Sequence, residues 1–115
     1  MTSEVENLFN KLQKIGVKEI VLFSRNGEVI KTTLDEEGTR NFIKMALGIV
    51  EDSNKIMGGL TGSNVEPNVI KATTESGELN IIISKKHILV YNLRMVNKKE
   101  VMYIKLAEEI DRIFK

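Results

Sequence analysis

The chain has 115 residues, 42% of them hydrophobic and 29% charged, which is ordinary usage for about one domain with one core and excludes disorder. Seventeen basic and 16 acidic residues leave a net charge of +1, so no global field draws the protein to nucleic acid or anionic lipid. The lack of cysteine excludes disulfides, thiolate nucleophiles and Cys-based zinc sites.

Ser3-x-x-Glu6 has capping-box spacing, and Val5, Leu8, Phe9 and Leu12 follow at i, i+3, i+4 and i+7. This predicts a first helix from Glu4 to Ile15, closed by Gly16. The run KEIVLFSRNGEVIKTT places two strands, at 18–24 and 28–33, around the turn dipeptide Asn26-Gly27. A second helix is predicted from Thr39 to Met57, capped by Gly58-Gly59. After the loop GLTGSNVEPN, the segments VIKATT, ELNIIIS and HILVYNL alternate with turn clusters and read as an antiparallel meander. Asn97-x-x-Glu100 opens a last helix with Met102, Leu106, Ile110 and Ile113 on one side.

The order is αββαβββα over 1–115, a single α+β domain. EIVLF, LNIII and HILVYNL are continuously apolar, as strands covered on both faces are, whereas EVIKTT and VIKATT carry the lysines and threonines of edges. Joining the hairpin to the meander through its central strands gives one antiparallel five-stranded sheet in the order 2-1-5-4-3.

Helix two is too apolar for docking alone. At about 100° per residue from Phe42, the residues Ile49, Ile56 and Met45 fall on one side, with Ala46 and Met57 on the other, as a core face. Val50, Ile43 and Leu47 widen the arc to about 200°, roughly twice what docking on a sheet uses. Either the following loop covers the surplus or a second copy does, in an isologous homodimer through Ile43, Leu47, Val50 and Asn54. Strand three, with Val69, Lys71 and Thr73, adds an open backbone edge able to continue the sheet into that copy.

No catalytic set stands out. His87 is the only histidine and sits in a turn, where solvation or capping explains it. The acidic clusters Asp35 to Glu37, Glu51-Asp52 and Glu108-Glu109 fit helix starts and solvated faces. Gly58, Gly59 and Gly62 lack the Gly-Lys-Ser/Thr of a phosphate cradle. Lys85, Lys86, Arg94, Lys98 and Lys99 have only Tyr91 and Tyr103 nearby, too few rings for nucleic-acid stacking. No enzyme activity, cofactor, metal or nucleic-acid partner is therefore expected. The apolar runs Ile20 to Phe23 and Ile81 to Ile83 are far shorter than the ~18 residues that span a bilayer. MTSEVENLF starts acidic without a signal-peptide layout. No membrane insertion, and a cytoplasmic location, are the expectation.

EVENLFNKLQKIGVKEIVLFSRNGEVIKTTLD, with its amphipathic helix, Gly-Val step, apolar strand, turn Gly27 and Lys/Thr-ended strand, resembles the start of Roadblock/LC7 domains. The long second helix and the meander ending in HILVYNL are similar as well. The resemblance implies helix two on one face of the sheet and helices one and three on the other, in a profilin-like architecture. It also implies dimerisation through helix two and strand three, and a non-catalytic platform for a Ras-like small GTPase, with Arg40, Lys44 and Glu51 as polar contact candidates. The closing helix departs from short dynein light chains and looks more like prokaryotic members. The alternative is a longin- or profilin-like scaffold module in trafficking or cytoskeletal assembly, monomeric or with a dimer that ignores helix two.

Overall fold

The computed structural model describes residues 2–62, 66–75, 77–94 and 103–115. Helix α1 (Thr2–Lys14) buries Val5, Leu8, Phe9 and Leu12, the stripe its period dictates. It stops at Gly16, whose φ of 101° turns the chain while Val17 N–H bonds back to Leu12 O at 3.1 Å. Strands β1 (Glu19–Ser24) and β2 (Val29–Thr32) form a hairpin. In its turn Gly27 has φ 91° and donates its N–H to Ser24 O at 2.8 Å.

Helix α2 runs from Glu36 to Thr61, longer at both ends than its sequence suggested. Asp35 is the N-cap and accepts from Gly38 N–H at 2.7 Å, and Glu36 and Glu37 place negative charge in the first turn. Gly58 and Gly59 lie inside the helix. The left-handed cap falls on Gly62, φ 69°, whose N–H bonds Gly58 O at 3.0 Å. Strands β3 (Val69–Thr74), β4 (Gly77–Ile83) and β5 (His87–Arg94) follow, then helix α3 (Tyr103–Ile113). The expected Asn97 to Glu100 start of the last helix lies outside the described residues.

The sheet is antiparallel throughout in the order β2-β1-β5-β4-β3. Because β1, β4 and β5 are covered on both faces, their apolar residues split by alternation into two cores. On one face Ile20, Leu22, Leu89 and Tyr91 pack against α1 and α3 through Leu8, Phe9, Leu12 and Ile110. On the other, Val21, Phe23, Ile81, Ile88 and Val90 pack against α2 through Ala46 and Val50. The row at the sheet's far end runs Glu19, Asn92, Leu79, Ala72 by register.

One sequence expectation about α2 is corrected. Met45 and Ile56, assigned to its core face, are 37% and 62% exposed, whereas Val50 is 6% exposed, and Ile43 and Leu47 pack against the same core. The helix is rotated about its axis by roughly 70° from the expected phase. Buried Thr39 faces inward, its hydroxyl meeting that of Thr32 on β2 at 2.8 Å and reaching Leu34 O at 3.4 Å, which fits this rotation.

Candidate interaction surfaces

Around the axis of α2, with Phe42 at zero, the buried positions Thr39, Ala46 and Val50, with half-buried Ile43, centre near about 70°. The flank beyond them, at about 100° to 200°, carries Ile43, Leu47, Arg40 and Lys44. These residues line a cleft of about 570 Å³ together with Val29, Thr32 and Leu34, so this flank faces β2. The opposite flank faces β3. It holds Met45, Ile56 and 78%-exposed Leu60, between about −60° and 0°, with half-buried Phe42 and Ile49 among them. The 26-residue helix thus leaves Met45, Ile56 and Leu60 outside its own core on the side of an open sheet edge, with Phe42 and Ile49 packed partly against that core.

That edge is β3, paired only with β4. Lys71, Ala72, Thr73 and Thr74 are exposed there, and the Lys71 ammonium pairs with Glu78 at 2.9 Å. Val69 packs partly against the core shared by α1 and α3. The three residues expected at a strand-three interface therefore lie on an open edge. The four on helix two do not line the apolar stripe: Val50 is buried, Ile43 and Leu47 face the core and β2, and Asn54 donates its side-chain amide to Glu66 at 2.9 Å. These are their places within the single chain. Met45 and Ile56 were assigned to the core face because the phase of the helix was about 70° off, and Leu60 was missed because the predicted helix ended at Met57. Extending the period to Leu60 would have exposed the 42-45-49-56-60 stripe.

Arg40, Lys44 and Glu51 sit at about 160°, 200° and 180°, one exposed polar ridge well away from the stripe. Arg40 pairs with Glu36 and Glu51 with Lys55, both at 3.6 Å and both largely in solvent. Such pairs are worth only about 0–1 kcal/mol, which leaves the ridge available to other partners.

A second polar cluster ties three loops together. Arg25 binds Glu66 with two nitrogens and donates to Ser84 O, while Glu66 also accepts from Asn54. The Arg25 hydrogen bond holds the Glu66 carboxyl below its usual value. His87 stacks on Phe114 with ring centroids 3.8 Å apart, and desolvation there lowers its pKa from 6.5. Among the described residues no group of three or more His, Cys, Asp or Glu is placed to hold a metal ion, and no helix is long and apolar enough to cross a membrane.

No protein-family model and no curated protein matches the chain. Solved structures do. MglB from Myxococcus xanthus superposes with a TM-score of 0.77 at 20% identity, over 97% of this chain and 88% of that one. A Roadblock/LC7 domain from Streptomyces avermitilis gives 0.69 at 16% identity, over 85% and 82%. Profilin from Schizosaccharomyces pombe gives 0.55 at 15% identity, over 89% and 85%. The fold is of the Roadblock/LC7 type, with profilin as a more distant neighbour. Among these likenesses the MglB structure from Myxococcus xanthus has the higher TM-score.

Proposed function

We propose that the chain is a non-catalytic homodimeric regulator or adaptor that binds a Ras-like small GTPase and modulates its GTP/GDP cycle. The observation that carries this reading is the apolar stripe of Met45, Ile56 and Leu60 on the flank of α2 that faces the open β3 edge. A two-fold axis beside β3 lets both features meet their own copies in one interface, continuing the sheet and pairing the two α2 helices. Full burial of a large apolar side chain contributes about 1.5–3 kcal/mol, and Met45, Ile56 and Leu60 gain the part of it that their 37%, 62% and 78% exposure leaves open. The interface so defined replaces Ile43, Leu47, Val50 and Asn54 with the stripe, and keeps the β3 edge at Val69, Lys71 and Thr73.

Dimerisation through helix two and strand three is what the Roadblock/LC7 resemblance implies, and the Roadblock/LC7-type fold supports carrying that over. In this dimer the ridge of Arg40, Lys44 and Glu51 stays open on each copy. The ridge is a ready contact for a GTPase switch segment, whose ordering alters hydrolysis or exchange without any catalytic group from the platform. A profilin-like scaffold shares the sheet but gives the stripe no role.

Immobilised protein, incubated with lysate of the source cells in GDP or in a non-hydrolysable GTP analogue, tests the reading by mass spectrometry. Enrichment of a Ras-like GTPase in one nucleotide state supports it. Recovery of cytoskeletal or trafficking proteins, with no GTPase in either state, favours the scaffold.

A further inference from the structure

We propose that the cleft between β2 and the first half of α2 docks an extended peptide segment, alternately apolar and bearing one acidic residue, which adds to the sheet at the β2 edge. Among the described residues the sheet ends at β2, which pairs only with β1. Thr33 N–H bonds Ile20 O at 2.9 Å and Lys31 sits opposite Leu22, so residues 31 and 33 turn their backbone groups inward. By the alternation of an antiparallel ladder, Thr32 between them turns its own groups outward.

Edges of this kind are usually blunted by charge or cover. Here Glu28 and Lys31 carry charge along the edge, yet Val29 and Ile30 between them stay 44% and 38% exposed. Beside it the cleft, about 570 Å³, is floored by Val29, Leu34, Ile43 and Leu47. Every second side chain of an added strand faces α2 and enters that floor. The rim is basic. Arg40 is held only by a solvent-exposed pair with Glu36, and Lys44 has no ion-pair partner among the described residues. An acidic side chain at the α2 side of the segment meets Lys44. A segment with a basic residue there is repelled.

The proposal needs no dimer, because the apolar stripe lies on the opposite flank of α2, and no GTPase, although Arg40 and Lys44 belong to both the cleft rim and the polar ridge. Its failure therefore leaves the function proposed above standing, and the reverse. The test selects a phage-displayed library of random twelve-residue peptides on the immobilised protein. The enriched sequences are then titrated as synthetic peptides into isotope-labelled protein and followed by NMR.

The expected winners alternate apolar residues and carry an acid, and they shift the backbone amides from Val29 to Leu34. N-methylation of the peptide's bonding edge weakens them about tenfold or more, as lost β-pairing requires. Lys44→Glu, an exposed change that leaves the core intact, weakens them about fivefold, and a peptide with lysine in place of its acid recovers the loss. Any of four results overturns the proposal: winners that shift other surfaces, indifference to N-methylation, no peptide that perturbs Val29 to Leu34, or concentration-dependent shifts there without peptide. The last would assign the cleft to a second copy.

Discussion

Arg25, in the β1–β2 turn, and Glu66, beyond the end of α2, are joined across 41 residues by a two-pronged ion pair, with Nη1 donating to Oε2 at 3.0 Å. The guanidinium also donates to the carbonyl of Ser84, and Asn54 on α2 completes the carboxylate. The far end of a long helix is thereby fixed to the turns at one end of the sheet. Both side chains remain about a third exposed, 36% and 31%, so solvent screening limits the pair to about 1 kcal/mol despite its geometry.

Glu66 makes that contribution pH-dependent. Its carboxyl is held below the usual 4.5, first by the Arg25 hydrogen bond, so below neutrality the folded state binds fewer protons than the unfolded one. The stabilisation is complete above the unfolded value and is lost as pH falls through the lower folded value. Thermal melts from about pH 7 to pH 3 should show Arg25→Gln lowering stability at neutral pH and losing its deficit in acid. A deficit that does not change with pH would sink this assignment.

His87 gives a second pH window. Desolvation first, then Lys86, lowers its pKa from 6.5, against smaller opposing effects of Asp111 and Glu28. A base whose folded pKa is depressed stabilises fully above its unfolded value and loses that contribution as pH falls toward the folded one. Replacing His87 with Phe keeps the stack on Phe114 and should flatten the stability curve just below pH 6.5. The comparison of denaturant midpoints across that range checks it.

Asn80 lies fully buried in β4, between Lys71 and Tyr91 in register, and neither side-chain atom has a hydrogen-bond partner among the described residues. An unpaired buried amide costs about 1–3 kcal/mol. Asn80→Val should therefore raise stability by about 1–2 kcal/mol in chemical denaturation. A loss instead would mean that the amide is satisfied in solution.

Ile56 and Leu47 separate the interface from the core. Ile56 is 62% exposed and Leu47 packs against the α2 core. Ile56→Glu should leave the melting temperature of the monomer nearly unchanged and halve the mass in analytical ultracentrifugation. Leu47→Glu puts a charge against Ile43 and the sheet and should cost about 3 kcal/mol or more. If Ile56→Glu retains full dimer mass, the stripe is not the interface.

The strand order was legible because burial on both faces makes β1, β4 and β5 continuous in Ile, Leu and Val, while Lys31, Thr32, Lys71 and Thr73 betray the edges. The width of the apolar arc on α2 was legible too. Its phase was not, since Ile43, Met45, Val50 and Ile56 are equally apolar and the Thr39–Thr32 contact that marks the inward face joins residues of two separate elements. Gly58-Gly59 reads as a helix stop, yet a tandem glycine inside a helix costs only about 1 kcal/mol per residue, which the sequence around it outweighs. The Arg25–Glu66 pair joins distant segments and leaves no periodic trace at all.

The central claim rests on a GTPase partner, and the direct measurement is reconstitution. Each Ras-like GTPase encoded in the source genome is purified, loaded with GDP or a GTP analogue, and titrated against the protein, with single-turnover GTP hydrolysis and nucleotide release followed in parallel. The account predicts one GTPase that binds a dimer at least about tenfold more tightly in one nucleotide state, which is ~1.4 kcal/mol of differential affinity. Its hydrolysis or release rate changes when the protein is added. Equal or absent binding in both states, for every GTPase tested, would contradict it.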